Sequence, residues 1–285
     1  MNYWFVKTTN TEFQVIADGT SIGRYNMEED SLGRAECASI AIPEDVESAV
    51  RVAFYEFVRN DVYYMGAVDD VTAENAREVF CKMLHGALVE RERRLSKYTL
   101  TDDSEADKKF NQLVSWLDKA EFFTGPASSM YHEAFVGGLC YHSVKVALKI
   151  KDLVLNCESF KFKIPLDSAI LVALLHDVCK AGYYEAYKRN VKNDETGKWE
   201  SVDAFRRKQD NIPNYDLLGH GASSEFIISR FLPITTAEAL AIRWHMGFTE
   251  HDHIGQVGQA FEMFPLAFAL STADMDATYY IEGRP

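Results

Sequence analysis

No CxxC pair occurs anywhere in this sequence. The five cysteines (37, 81, 140, 157 and 179) are scattered over 285 residues and odd in number. That pattern argues against a disulfide-stapled fold and predicts reduced thiols in a cytosolic protein. No apolar run is long enough to cross a membrane, so no membrane partner is expected. The opening residues, "MNYWFVKTTNTEFQ", lack the basic-then-apolar pattern of a secretory leader. Internal repeats and low-complexity tracts are missing too. Basic residues are in deficit, 30 against 43 acids, for a net charge of −13. A protein that coats duplex DNA needs a basic surface, so the charge argues against that class. Enzymes acting on phosphates remain open, because a local basic patch or a bound cation can meet an anionic substrate.

What is present is a large apolar fraction, 47% of residues, enough for a sizeable core in one large domain or a medium one plus a small one. Residues 1–70 read as a small α/β unit. "YWFVKTT" and "EFQVIAD" are expected as strands, with Asp18-Gly19 closing the second. Beyond Pro43, the spacing of Val46, Val50, Ala53, Phe54 and Phe57 predicts one face of a helix. "DVYYMGAV" is expected to return as a strand. Residues 71–125 read as a helical connector of two helices, split by the polar stretch 95–103. His85 lies there among apolar neighbours, where a packed, hydrogen-bonded role outweighs a ligand role.

The character changes from residue 126. Seven of the eight histidines lie beyond residue 130. Five helices are expected, near 138–156, 167–181, 221–231, 236–247 and 264–280. Asp167 is a candidate cap for the second, and Thr235 or Thr236 for the fourth. Gly182 and Gly247 are candidate stops. His142 sits one turn into the first of these helices and His176-Asp177 near the end of the second. At 1.5 Å per residue, the run from 142 to the helix end is about 21 Å and the return to 176 about 14 Å. An antiparallel pair with a connecting loop then brings the two stations to one end. His220 opens one helix and His245 nearly closes the next, at matching heights. Asp274 lies in the largely apolar "PLAFALSTADMDATYY". A buried Asp is costly unless paired, hydrogen-bonded or metal-bound. Convergence of these residues predicts a metal centre; the alternative is a set of unrelated core polar groups, each satisfied locally. The second "HD", His251-Asp252, follows Gly247 in a polar stretch and reads as a solvated loop.

The ordered set His142, His176-Asp177, His220, His245 and Asp274 resembles the HD-domain superfamily of metal-dependent phosphohydrolases, in its histidine-rich, two-metal variant. The leader "GPASSMYHEAFVGGLCYHSVKVA" (125–147) is similar to the first metal-binding segment in the HD domains of bacterial 3′→5′ exoribonucleases and their uncharacterised relatives. The likeness covers about residues 120–285 and leaves out 1–119. Cys179 in "HDVCK", the single His in "RWHMG" and "YHE" depart from the family's commoner residues. The resemblance implies a mostly α fold: an HD-type helical metal-binding domain over 126–285, beside the small N-terminal α/β unit. It implies that His142, His176, Asp177 and Asp274 hold one divalent ion, and that Asp177 bridges to a second held by His220 and His245. Such a His/Asp set suits Mn, Fe, Co or Ni more than Mg. Lys180 is expected to neutralise a phosphate oxygen, or else to be an ordinary helix-end cation. His132 is expected to touch substrate or orient a ligand, with a structural role as the alternative.

Residues 183–216 interrupt the stations and read as a β-hairpin insert with a turn at 194–197. Between 188 and 208 stand seven basic residues against four acids, a local surplus of three in an acidic chain. A lid that meets phosphates through Arg206, Arg207 and Lys208 is one reading, with Tyr183, Tyr184, Tyr187 and Trp199 available for stacking. A solvated hairpin whose aromatics pack on the bundle is the other. The leading functional expectation is a phosphohydrolase (phosphodiesterase or phosphatase) acting on a nucleotide or other phosphorylated small molecule through a metal-activated water. Alternatives are a 3′→5′ exonuclease on single-stranded nucleic acid, an HD-type di-iron oxygenase, and a non-catalytic metal- or nucleotide-binding protein.

Overall fold

The computed structural model describes residues 3–7, 12–18, 20–29, 35–47, 49–50, 71–95, 104–130, 133–157, 159–160, 163–194, 196–208, 218–249 and 253–281. The chain is mostly helical. It opens with an antiparallel four-stranded sheet in sequential order, β1 (Tyr3–Lys7), β2 (Glu12–Ala17), β3 (Thr20–Glu29) and β4 (Ala35–Ile40). The register shifts between Val15 and Ile16, which leaves Ile22 as an extra residue in β3. Helix α1 follows, described at 44–47 and 49–50. Phe5, Val15, Tyr25 and Val50 form a small core of their own, with Val46 packed against it.

Two of these strands and the helix match the sequence expectation. β3 and β4 were not foreseen, because "TSIGRYNMEE" and "AECASI" carry too few β-branched and aromatic residues in alternation to read as strands. The expected strand at 61–68 lies outside the described residues, as do Ala53, Phe54 and Phe57 of the expected helix face.

Helices α2 (Ala76–Leu95) and α3 (Ser104–Lys119) match the expected pair. His85 is hydrogen-bonded, as expected, but half-exposed and not packed in the core: its Nε2 lies 2.7 Å from Asp107 Oδ1. Helices α4 (Gly138–Asn156), α5 (Leu166–Leu175), α6 (His220–Ile228), α7 (Thr236–Arg243), α8 (Ile254–Met263) and α9 (Pro265–Asp276) complete the bundle. Every residue of α5 is buried. A helix apolar on all sides must sit at the centre, and α5 packs against α2, α4, α7 and α9. One continuous core takes in residues of α2 and α3 as well as those of the later helices.

Three differences from the expected helices bear on the site. Helix α5 stops at Leu175 instead of running to 181. Asp177 leaves helical geometry (φ −104°, ψ 15°), and a single 3-10 turn, Val178–Lys180, follows. Asp167 is not the cap of α5. It lies buried inside the first turn and takes a bidentate ion pair from Arg94, at 2.9 and 2.7 Å to Oδ2. Helix α8 was not among the five expected helices: "IGQVGQ" holds two glycines and the helix buries little beyond Val257 and Ala260. Thr235 caps α7 as expected, in a full capping box with Glu238.

The insert forms a hairpin, β5 (Tyr184–Lys192) with β6 (Trp199–Arg207), and Gly197 takes a left-handed φ of 68° in its turn. Among the described residues no helix is long and apolar enough to cross a membrane.

Candidate metal centre

Four helix ends and a carboxylate in the last turn of α9 meet at one end of the α4–α5 pair. His142 stands in the second turn of α4, and His176 caps the C-terminus of α5. His220 is the first residue of α6, and His245 follows the end of α7 by two residues. The first turn of α6 touches the last turn of α7 backbone to backbone. Gly221 permits this, since a methyl group there would overlap the Arg243 carbonyl. The rings of His220 and His245 come to 5.1 Å between centroids.

His142, His176, Asp177 and His245 are all buried, and Asp274 nearly so. His142 Nε2 lies 3.3 Å from His176 Nε2 and 3.2 Å from Asp274 Oδ1. Asp177 sits between two groups of imidazoles and shows each a different oxygen. Its Oδ2 lies 3.5 Å from His176 Nε2 and 3.8 Å from His142 Nε2. Its Oδ1 lies 2.5 Å from His220 Nε2 and 3.5 Å from His245 Nε2. Lys180 Nζ closes the site on the Oδ2 side at 2.6 Å.

The donor set fits a cation on three counts. Ligand atoms of His142, His176 and Asp177 lie within 4.8 Å of one another; so do those of Asp177, His220 and His245, and those of His176, His245 and Asp274. His176 Nδ1 and His245 Nδ1 each lie 2.7 Å from a backbone carbonyl three residues back, Ala173 O and Ile242 O. A carbonyl only accepts, so each Nδ1 carries the proton, and in the neutral ring the Nε2 lone pair faces the cluster. Finally, the buried His245 Nε2 has no hydrogen-bond partner among the described residues. It is within ion-pair reach of Asp177 but poorly placed for a hydrogen bond. These buried groups could hold a metal ion.

The electrostatics divide the histidines: burial opposes the charge on His220 and His245, yet Asp177 outweighs it and raises both above the ordinary imidazole value. Burial holds the His176 imidazole down to about 4, so it is neutral over the physiological range. Burial would raise the Asp177 carboxyl, but Lys180, His176 and His220 outweigh it and keep the group well below the usual carboxylate range. The same contest holds Asp274 low, through His142, His176 and His245. Burial opposes the charge on Lys180 as well, yet Asp177 raises its pKa above the ordinary lysine value.

No family model matches the chain, and comparison with curated proteins and with solved structures gives no significant match.

All six residues expected as metal ligands therefore converge, with one refinement. His245 was assigned to the second ion alone, but its Nε2 is in range of His176 and Asp274 as well as of Asp177 and His220. His132 lies outside the described residues, as do His251 and Asp252. The hairpin root joins the site directly, since Tyr183 N donates to Lys180 O at 3.1 Å. Tyr184, pushed up by burial, feels both Lys180 and Asp177. The three basic residues expected to bind phosphate are engaged within the protein. Arg206 pairs with Glu185 at 2.8 Å, Lys208 with Glu121 at 2.7 Å, and Arg207 lies over the Tyr183 ring at 4.8 Å. Sequence reasoning missed the carbonyls that orient His176 and His245. The i−3 spacing at a helix end was the signal that could have found them.

Proposed function

We propose that the chain is an HD-type metal-dependent phosphohydrolase that cleaves a phosphoester of a nucleotide or related small molecule. The observation that supports it most is Asp177, whose two buried oxygens face separate pairs of histidines while a lysine stands beside them. His142, His176, Asp177 and Asp274 hold one divalent ion, and Asp177, His220 and His245 a second. Mixed imidazole and carboxylate donors favour Mn²⁺, Fe²⁺, Co²⁺ or Ni²⁺ over Mg²⁺. When bound, such ions supply a water ionised near neutral pH and polarise a phosphate oxygen. The chain supplies the rest. Asp177 orients both halves of the site, and burial excludes competing water. Lys180 offers a fixed positive charge, held at Asp177 until a phosphate oxygen competes for it.

A second reading, 3′→5′ exonuclease action on single-stranded nucleic acid, draws on the hairpin. Trp199 stands 71% exposed opposite Lys192 at the far end of a strand pair rooted at the site. An exposed aromatic beside a cation is a stacking platform for a base.

The test is release of p-nitrophenol from mono- and diester substrates with each divalent metal, followed by nucleotides and short oligonucleotides. Diester activity on oligonucleotides selects the second reading. Inactivity with every metal on every substrate sinks hydrolysis, and substrate-dependent oxygen consumption by the iron form would move the chain to the oxygenases.

Replacing Arg206, Arg207 and Lys208 together by Ala is expected to raise KM for an anionic substrate about tenfold and leave kcat near wild type. The ion pairs of Arg206 and Lys208 lie at the surface and are worth about 0–1 kcal/mol each, weak enough for a phosphate to displace. An unchanged KM removes the hairpin from substrate binding.

A further inference from the structure

His220 differs from the two neighbours whose Nδ1 partners are carbonyls. His176 and His245 each end a helical segment, so a backbone carbonyl one turn back meets their Nδ1. His220 opens α6 instead, directly behind Gly219 at φ 83°, so α6 itself holds no carbonyl one turn back for its Nδ1. Its ring still points Nε2 at Asp177 Oδ1. The group that meets its Nδ1 comes from another element: Cys179 Sγ, at 3.3 Å. Cys179 is itself pinned, because its backbone N–H donates to Ser224 Oγ of α6 at 3.2 Å. Only 8% of the residue is exposed.

From this arrangement we infer that Cys179 is a positioning residue for His220, the outer hydrogen-bond partner that turns and holds this imidazole as a metal ligand. Sulfur sits on the Nδ1 side of the ring, away from the cluster, so the thiol orients the ligand without binding the ion. When Nε2 offers its lone pair, the proton is on Nδ1 and is donated to Sγ. Unlike a carbonyl, a thiol both accepts and donates weakly. It therefore holds the ring in either tautomer and enforces neither. The carbonyl-held His176 and His245 are locked as ligands, whereas His220 is held more softly.

The inference rests on the metal reading of the cluster and is independent of hydrolysis. Its test is titration of the metal-free full chain with Co²⁺, followed by calorimetry and by the visible absorption of the bound ion. His220→Ala first identifies the equivalent that depends on this ring. Cys179→Ala is then expected to weaken that equivalent about tenfold, the low end for loss of an outer partner of a ligating His, and to leave the other equivalent unchanged. Cys179→Ser restores a donor and acceptor at the same place and should recover most of the affinity. The metal-free melting temperature should be the same in all three Cys179 forms. Wild-type Co²⁺ binding by Cys179→Ala, no rescue by Cys179→Ser, or a melting temperature that falls with the affinity would each overturn the inference. So would Co²⁺ binding that His220→Ala leaves intact. A chain that hydrolyses nothing, yet whose Co²⁺ affinity follows this series, retains the inference and loses the proposed function.

Discussion

Asp177→Ala is expected to strip bound divalent metal and abolish phosphoester hydrolysis together. Asp177 is the only residue of the cluster with an oxygen facing each group of imidazoles. Deleting an outer partner of a ligand already costs 10–100-fold in metal affinity. Removing the carboxylate that serves both halves should cost more than about 100-fold. Asp177→Asn separates charge from shape: the amide fills the same space but cannot compensate Lys180 or the metal, so it should fail nearly as badly. Metal content of the purified variants and nitrophenyl ester turnover provide the two readouts. An Asp177→Ala protein that keeps wild-type metal content would show that the metal lies elsewhere.

The second large effect concerns stability. Arg91 is fully buried in α2, and its guanidinium takes Glu238 of α7 at 2.8 and 2.7 Å. The same guanidinium donates to Pro233 O at 2.6 Å, and Ser168 Oγ of α5 donates to Glu238 Oε1 at 2.6 Å. Glu238 also accepts the Thr235 N–H at 2.8 Å to close the capping box. One carboxylate thus ties three helices and caps the helix that leads to His245. Arg91→Met should destabilise the fold by about 3–5 kcal/mol, because it leaves a buried charge unpaired. Arg91→Met with Glu238→Leu should recover most of that loss, since an apolar pair of similar volume replaces a desolvated ion pair. Urea unfolding of the single and double variants decides it; additive losses would mean that the pair is not coupled.

The pH dependence follows from the same carboxylate. Burial would raise Glu238, but its bonds and charge contact with Arg91 outweigh burial and hold it at about 2, against an ordinary 4.5. A depressed folded pKa contributes stability that is complete above the unfolded value, about 3 kcal/mol here. It is lost as pH falls from the ordinary value toward the folded one. Between pH 6 and pH 3 the wild type should therefore lose more stability than Glu238→Gln, which has no such carboxylate to protonate. Equal losses would show that Glu238 titrates normally.

Much of the helical bundle was legible along the chain. Apolar spacing marked α4, α5, α6, α7 and α9, and simple helix lengths brought His142, His176, His220 and His245 to common heights. Helix α4 is long, at 19 residues, and α5 is apolar on every side, so both stand out against the polar stretches around them. Thr235 was readable as a cap because Glu238 stands three residues on. β3, β4 and α8 were not legible, since polar and glycine-containing stretches acquire their structure from the neighbours they pair with. Arg91 in "VERERRL" reads as one more solvated charge at a helix end. Its burial is set by Glu238, 147 residues away.

What the sequence determined by itself is the inventory and the order: which imidazoles and carboxylates exist, on which helices, and at which heights. Helical rise is a local property, so spacing alone carries it. Only the tertiary structure decided direction. The break in helical geometry at Asp177 turns one oxygen toward His142 and His176 and the other toward His220 and His245. The close approach of α6 and α7 at Gly221 sets His220 against His245, and Cys179 meets the Nδ1 of His220 from another element. Those directions come from helix ends packed against one another, where side chains are aimed by contacts between residues far apart in the chain.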